Sequence, residues 1–161
     1  METIYFNYVE GKLPPTKGYQ NKTDAIQNAS VLSEQCGRIV HTVKVCDDYT
    51  EITDYSTACK RLGIAEIDMD LLKEAGVSES QITYIKLSTI ADAINGGKLS
   101  NWGDKAYCFY YPSFSVGTFD FLCVQSEFPS RASSIEYKAE KLARYAGQQF
   151  NDLYKKLYEN I

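Results

Sequence analysis

The fold of this chain depends most on residues 101–123, which read NWGDKAYCFYYPSFSVGTFDFLC. Eight of these side chains are aromatic: Trp102, Tyr107, Phe109, Tyr110, Tyr111, Phe114, Phe119 and Phe121. In each half of the stretch the residues fall into two alternating sets, as they do on the two faces of a β-strand. Pro112 and Gly117 between them favour a change of chain direction. The stretch therefore predicts an antiparallel hairpin of two aromatic strands.

This aromatic density is typical either of a core or of a surface that stacks on bases or sugars. Stacking surfaces for nucleic acid usually carry interleaved Arg or Lys, but here the only basic residue is Lys105, beside Asp104. We therefore expect the hairpin to be mainly core, with no nucleic-acid partner. Partial exposure toward a protein partner stays open, and Trp102 and Tyr110 are the best candidates to reach the surface.

The chain before the hairpin begins with a β–α–β pattern. Residues 3–9, TIYFNYV, are β-branched and aromatic and predict a strand. A helix is expected from a cap at Thr23 to Gly37, and a second strand over 38–45. We interpret residues 1–46 as a small β-α-β module.

Residues 47–161 are expected to form a second, helical and aromatic domain. The boundary falls in the acidic connector 47–53, and short helices are predicted over 54–63 and 67–77. A longer helix over 78–95 would begin with a capping box of Ser78 and Gln81. Its inward face is predicted from the helical spacing: Tyr84, Leu87, Ala91 and Ile94, with Ile90 beside them.

The C-terminal segment carries the most regular helical pattern. Its apolar residues recur every three or four positions: Ile135, Ala139, Leu142, Ala146, Phe150, Leu153 and Leu157. Ser133 and Glu136 would form its capping box. We predict one long C-terminal helix packed on the hairpin sheet, and an α+β fold class for the whole chain.

The overall composition indicates a globular protein without an evident chemistry. The chain has 161 residues, is 44% hydrophobic and carries a formal net charge of −4, which argues against a general nucleic-acid binder. His41 is the only histidine. The five cysteines form no CxxC and are expected to be reduced: Cys36, Cys46, Cys59, Cys108 and Cys123. We predict no catalytic residue, no metal site and no cofactor.

Four blocks in a fixed order carry a resemblance: YIKLSTIADAINGG at 84–97, NWGD at 101–104, YCFYYPSF at 107–114 and EKLARYAGQQFNDLYKKL at 140–157. TDYSTACKRLGI at 53–64 precedes them. This order resembles a widespread family of uncharacterised proteins from Bacteroides-type bacteria, their prophages and crAss-like phages. That family has an aromatic YYP block and a closing helix with an AEYAGKQF-like core. Its PWF-like block is replaced here by PSF at 112–114, so no role of that Trp is carried over.

The resemblance implies a phage or prophage origin and no particular activity. We expect a non-enzymatic structural or interaction protein associated with the virion head. Its expected partners are other phage proteins, such as capsid or portal proteins, or further copies of itself. The alternative is a host-takeover factor that inhibits a bacterial defence or transcription enzyme.

The expected location is the virion or the host cytoplasm. The first residues show no export signal and no segment has the apolar length of a membrane span, so neither secretion nor a membrane partner is expected. Tyrosine and tryptophan are favoured anchors at protein interfaces. The candidate partner-binding residues are Tyr5, Tyr8, Trp102, Tyr110, Tyr154 and Tyr158.

Overall fold

The computed structural model describes residues 3–9, 18–97, 109–127 and 135–159. Its strands and helices, in chain order, are β1 (Thr3–Val9), α1 (Lys22–Cys36), β2 (Val40–Cys46), α2 (Tyr55–Leu62), α3 (Met69–Glu74), α4 (Glu79–Asn95), β3 (Phe109–Phe114), β4 (Phe121–Glu127), α5 (Glu140–Gln149) and α6 (Asn151–Glu159). A short 3-10 helix, Asp47–Glu51, joins β2 to α2. The described strands form two antiparallel pairs, β1 with β2 and β3 with β4, so the predicted α+β class is confirmed.

One buried side-chain amide links all three elements of the N-terminal β-α-β unit. The side chain of Asn7 in β1 donates to the carbonyl of Ala25 in α1 (2.7 Å) and accepts from the hydroxyl of Thr42 in β2 (2.8 Å). Phe6 packs against the main core. The division of the chain after residue 46 stays a prediction.

The start of α1 differs from the predicted cap at Thr23. Asn21 is the N-cap, because its backbone is extended and its side-chain oxygen accepts from the Asp24 amide at 2.7 Å. Gly37 ends the helix with a left-handed backbone, as predicted.

Helices α2 and α4 begin and end within a residue of their predicted bounds, whereas α3 is shorter than the predicted 67–77. Asp54 caps α2, and the capping box of Ser78 and Gln81 opens α4. The predicted inward residues of α4 are buried except Tyr84, which is 44% exposed. The prediction for Tyr84 is wrong because this side of α4 lies between two surface depressions, one lined by Ile64 and the other by Leu157.

The predicted aromatic hairpin is confirmed over β3 and β4. Phe109 pairs with Glu127 at its open end, and the register shifts by a bulge near Phe114. Helix α5 crosses one face at close range. A Cβ added to Gly147 would lie 2.3 Å from a ring carbon of Phe121 and 2.7 Å from Cβ of Pro112, so no side chain fits there.

The single long C-terminal helix is not observed. Residues 135–139 are not helical, and Tyr137 instead pairs with Tyr110 as a β-bridge, with N–H···O distances of 2.8 and 2.7 Å. Ala139, with φ −152° and ψ 148°, is the N-cap of α5. The predicted capping box at Glu136 is therefore wrong, and Ser133 lies outside the described residues.

A long-range contact explains why the helix starts late, and the helix also breaks at Phe150. The side chain of Asn95, at the end of α4, donates to the carbonyl of Glu136 (2.9 Å) and accepts from the amide of Lys138 (3.0 Å), which holds this segment extended. At Phe150 the backbone leaves helical geometry (φ −112°, ψ 25°), and α6 begins one residue later. The predicted apolar stripe is still buried or half-buried throughout.

The main core lies between α4, α5, α6 and the hairpin. Its largest fully buried side chains include Ile52, Leu87, Leu142, Tyr137 and Tyr154. Among the described residues no helix is both long and apolar enough to cross a membrane.

Candidate functional site

The structure separates the six tyrosine and tryptophan candidates. Tyr110 is only 7% exposed and Tyr154 only 1%, so the expectation that these rings reach the surface is wrong. Tyr110 faces the core beneath α5 and is held by Tyr137, and Tyr154 packs on Phe114.

The remaining candidates have different positions. Tyr158 is 40% exposed at the end of α6. Tyr5 is half-buried in β1 and exchanges two backbone hydrogen bonds of 2.8 Å with Tyr19. Trp102 and the side chain of Tyr8 lie outside the described parts.

Tyr158 belongs to an exposed apolar site at the turn of the hairpin. We call this site the tip surface, defined by Tyr111, Phe114, Val116, Phe119 and Tyr158. These residues border an open cavity of about 270 Å³. Val116 stands fully in solvent. An open cavity with a mostly apolar lining and an exposed aliphatic rim is typical of a protein-binding surface.

The turn that presents the tip surface is rigidly hydrogen-bonded. The amide of Ser115 donates to the carbonyl of Asp120 (2.9 Å), and the amide of Phe119 donates to the carbonyl of Ser115 (3.0 Å). The hydroxyls of Ser115 and Thr118 lie 2.6 Å apart. Together these bonds hold the turn in one shape.

Phe119 is held in a backbone conformation that its side chain disfavours. Its φ is +53°, and it is the one non-glycine residue with positive φ in the described parts of the chain. This region costs about 1 kcal/mol or more for a bulky side chain, and such strain concentrates at functional sites. The conformation aims the ring at Tyr158, with centroids 6.2 Å apart and ring planes 17° apart.

A continuous row of rings connects the tip surface to the core. Tyr158 stacks in turn on Tyr154 (6.4 Å, 20°), and Phe114 lies 4.8 Å from Tyr154. The exposed end of this row is thus anchored on fully buried rings. A partner that covered Tyr158 and Phe119 would meet a preorganised surface, which lowers the entropic cost of binding.

At the inner end of the row two buried hydroxyls form a hydrogen bond with each other. The phenol oxygens of Tyr137 and Tyr154 are 2.9 Å apart, and both side chains are fully buried. Burial raises the pKa of both phenols well above the ordinary value, since a phenolate would lose its solvation there. The pair therefore stays protonated in the folded protein.

We expect the free energy of unfolding to fall in alkaline solution. Folded Tyr137 and Tyr154 hold their protons at pH values where the unfolded chain releases them, so this stabilisation is complete below the unfolded pKa of about 10. The stabilisation is lost as the pH rises from about 10 through the raised pKa values of the folded protein. The loss is about 1.4 kcal/mol per pH unit for each phenol. Denaturant titrations at successive pH values measure this slope.

The matched control for this slope is the double variant Tyr137→Phe with Tyr154→Phe. Since it has no buried phenol at either position, its stability should vary less with pH than that of the unmodified chain. Equal slopes for the two proteins would show that other groups cause the alkaline loss.

A cleft beside α2 has a different, ionic character. It is about 440 Å³ in volume, and the Arg61 guanidinium in it forms ion pairs with Asp48 and Glu51. These pairs neutralise the cation and tie α2 to the 3-10 helix. No cluster of three or more His, Cys, Asp or Glu side chains fit to hold a metal ion occurs within the described ranges.

Reasoning from the sequence missed Val116 and Phe119 as site residues. A usable signal was present, since an apolar valine directly before Gly117 in a turn would expose its side chain. The positive φ of Phe119 has no sequence signal, because glycine or asparagine is the usual residue in that conformation.

Comparisons with known proteins identify no relative of this chain. No protein-family model, no curated protein and no solved structure matches the chain significantly.

Proposed function

We propose that this chain is a non-enzymatic interaction protein of a phage particle, associated with the virion head, and that it attaches to a larger phage protein through the tip surface. The observation that carries the attachment is the strained, stacked Phe119 beside the fully exposed Val116. The phage setting follows from the resemblance of the blocks within residues 53–158 to phage and prophage proteins.

The chemistry of the tip surface favours a protein partner over a small polar ligand. Its rim carries aromatic rings and an aliphatic side chain, and the described tip residues include no charged group. Burial of such rings under a partner excludes water from apolar surface, which is the usual source of affinity at interface hot spots. The polar Tyr158 and Tyr111 hydroxyls suit the edge of such a contact.

The location is tested by quantitative mass spectrometry of purified particles from the phage or induced host that encodes the chain. We expect a constant copy number relative to the major capsid protein across independent preparations. Abundance in infected cells together with absence from particles would refute the virion role. That result would favour the host-takeover alternative, and a pull-down for host targets would then follow.

The attachment surface is tested by Val116→Asp, introduced into the encoding phage. We expect about tenfold fewer copies per particle, because a desolvated carboxylate opposes burial of the tip surface. The side chain of Val116 is fully exposed, so the substitution should leave the thermal unfolding of the purified protein unchanged.

The matched control is Leu71→Asp, which places the same charge at another exposed apolar position, on α3. Its copy number per particle should equal that of the unmodified chain. Equal losses for the two variants would indicate a general effect of charge, and no loss for Val116→Asp would exclude the tip surface as the attachment site.

A further inference from the structure

A second surface, the outer edge of β4, directs backbone groups away from β3. The amide and carbonyl of Tyr110 in β3 bond to Tyr137, on the side away from β4. In a β-strand the amide and the carbonyl of one residue point to the same side. Tyr110 therefore makes no backbone hydrogen bond to its partner Ser126, and the two form a non-hydrogen-bonded pair. By alternation, Ser126 and Val124 direct their amides and carbonyls outward, away from β3.

The two edges of this hairpin are built differently. The β3 edge is closed, because Tyr137 occupies the groups of Tyr110 and Pro112 has no amide hydrogen to offer. At the start of the β4 edge the side chain of Asn151 accepts from the amide of Phe121 at 2.8 Å. Beyond that point, no group in the described parts of the chain pairs with the outer edge of β4.

The sequence of β4 also lacks the usual protection of an edge strand. Exposed edges are normally blocked by lysine, proline or an inward charge, since open backbone groups recruit further strands. β4 reads FLCVQSE and contains neither lysine nor proline, and its only charged residue is the terminal Glu127. Leu122, two-thirds exposed, adds apolar surface to this strand.

We propose that a second copy of this chain docks on this edge, through antiparallel pairing of β4 with β4. With Gln125 on the two-fold axis, Val124 of each copy lies opposite Ser126 of the other. The two hairpins then form one continuous four-stranded sheet across the dimer.

A second copy fits this edge because the edge is complementary to itself. Val124 and Ser126 each offer one outward donor and one outward acceptor, and pairing about Gln125 matches all of them in four hydrogen bonds. The segment 121–126 is uncharged, so the two copies meet without like charges in contact. The contact is short and the dimer is correspondingly weak. It uses no residue of the tip surface and does not depend on the proposed function.

The test is sedimentation of the purified full chain over a wide concentration range, together with amide hydrogen exchange. We expect a reversible monomer–dimer equilibrium, with slower exchange at the Val124 and Ser126 amides as the dimer forms. Ser126→Pro removes an outward donor from each copy and should weaken the dimer about tenfold or more. The side chain is exposed and its amide lies outside the β3–β4 ladder, so the hairpin is kept.

The matched control is Ser126→Ala, which keeps the backbone donor and should dimerise like the unmodified chain. A chain that stays monomeric at every concentration overturns the proposal. So does a dimer that forms without slower exchange at Val124 and Ser126, a result that needs no variant. The Val116→Asp variant should dimerise normally. Failure of the proposed dimer is therefore distinguishable from failure of the proposed attachment through the tip surface.

Discussion

The variant Gly147→Val is expected to lose about 3 kcal/mol of unfolding free energy, since overpacking a tight contact typically costs 1–3 kcal/mol and valine adds three carbons. An added Cβ alone would lie 2.3 Å from the Phe121 ring and 2.7 Å from Pro112. The proline ring cannot rotate away, so α5 must move off the hairpin. Denaturant unfolding at neutral pH measures the loss.

Its matched control is Gln148→Val, one position along the same helix. Gln148 is exposed, so the cost is limited to helix propensity, about 0.5 kcal/mol or less. Similar losses for the two variants would mean that the close approach of α5 to the hairpin does not exist in solution.

Tyr154→Phe is expected to cost about 2 kcal/mol, the penalty for leaving a buried hydroxyl without a partner. Tyr137 and Tyr154 bond each other at 2.9 Å in the core, so removal of either oxygen orphans the other. Tyr137→Phe should therefore cost about as much. Tyr158→Phe is the control, because its half-exposed hydroxyl makes no hydrogen bond to the described residues.

The double variant distinguishes a hydrogen-bonded pair from two independent sites. With both hydroxyls gone, no polar group is left stranded, so the double variant should be more stable than the sum of the single losses predicts by at least about 1 kcal/mol. Strict additivity in denaturant titrations would contradict the pairing of the two phenols.

Local signals in the sequence predicted much of the fold. Capping residues and glycines placed the ends of α2 and α4 within a residue, and alternation with a turn placed the hairpin. These features depend on near neighbours in the chain, which a sequence displays directly.

The C-terminal segment could not be predicted in this way, because its structure is set by distant residues. A regular apolar stripe favours one helix, but Asn95 and Tyr110 hold the backbone of 136–138 extended. In one continuous helix Tyr137 and Tyr154 would lie about 25 Å apart along the axis and about 100° apart around it. They meet only because the segment containing Tyr137 is not helical.

The candidate site was predicted in its composition and not in its position. Tyrosine density indicated an interface, and Tyr158 is the predicted residue that the structure places at an exposed site. The prediction of Tyr110 and Tyr154 as surface residues was wrong, since aromatic density alone does not tell which rings of a block face the core. Exposure of Val116 depends on where the hairpin turns, which is a tertiary result.

The side chain of Asn95 has a consequence for the order of folding. Its two hydrogen bonds span 41 and 43 residues of sequence. They support the β-bridge between Tyr110 and Tyr137, which closes the edge of a hairpin that would be only marginally stable alone. The hairpin therefore gains its stability only when the end of α4 and the start of α5 have already met. α4, hairpin and α5 should consequently form and melt in one cooperative step, without a stable hairpin intermediate.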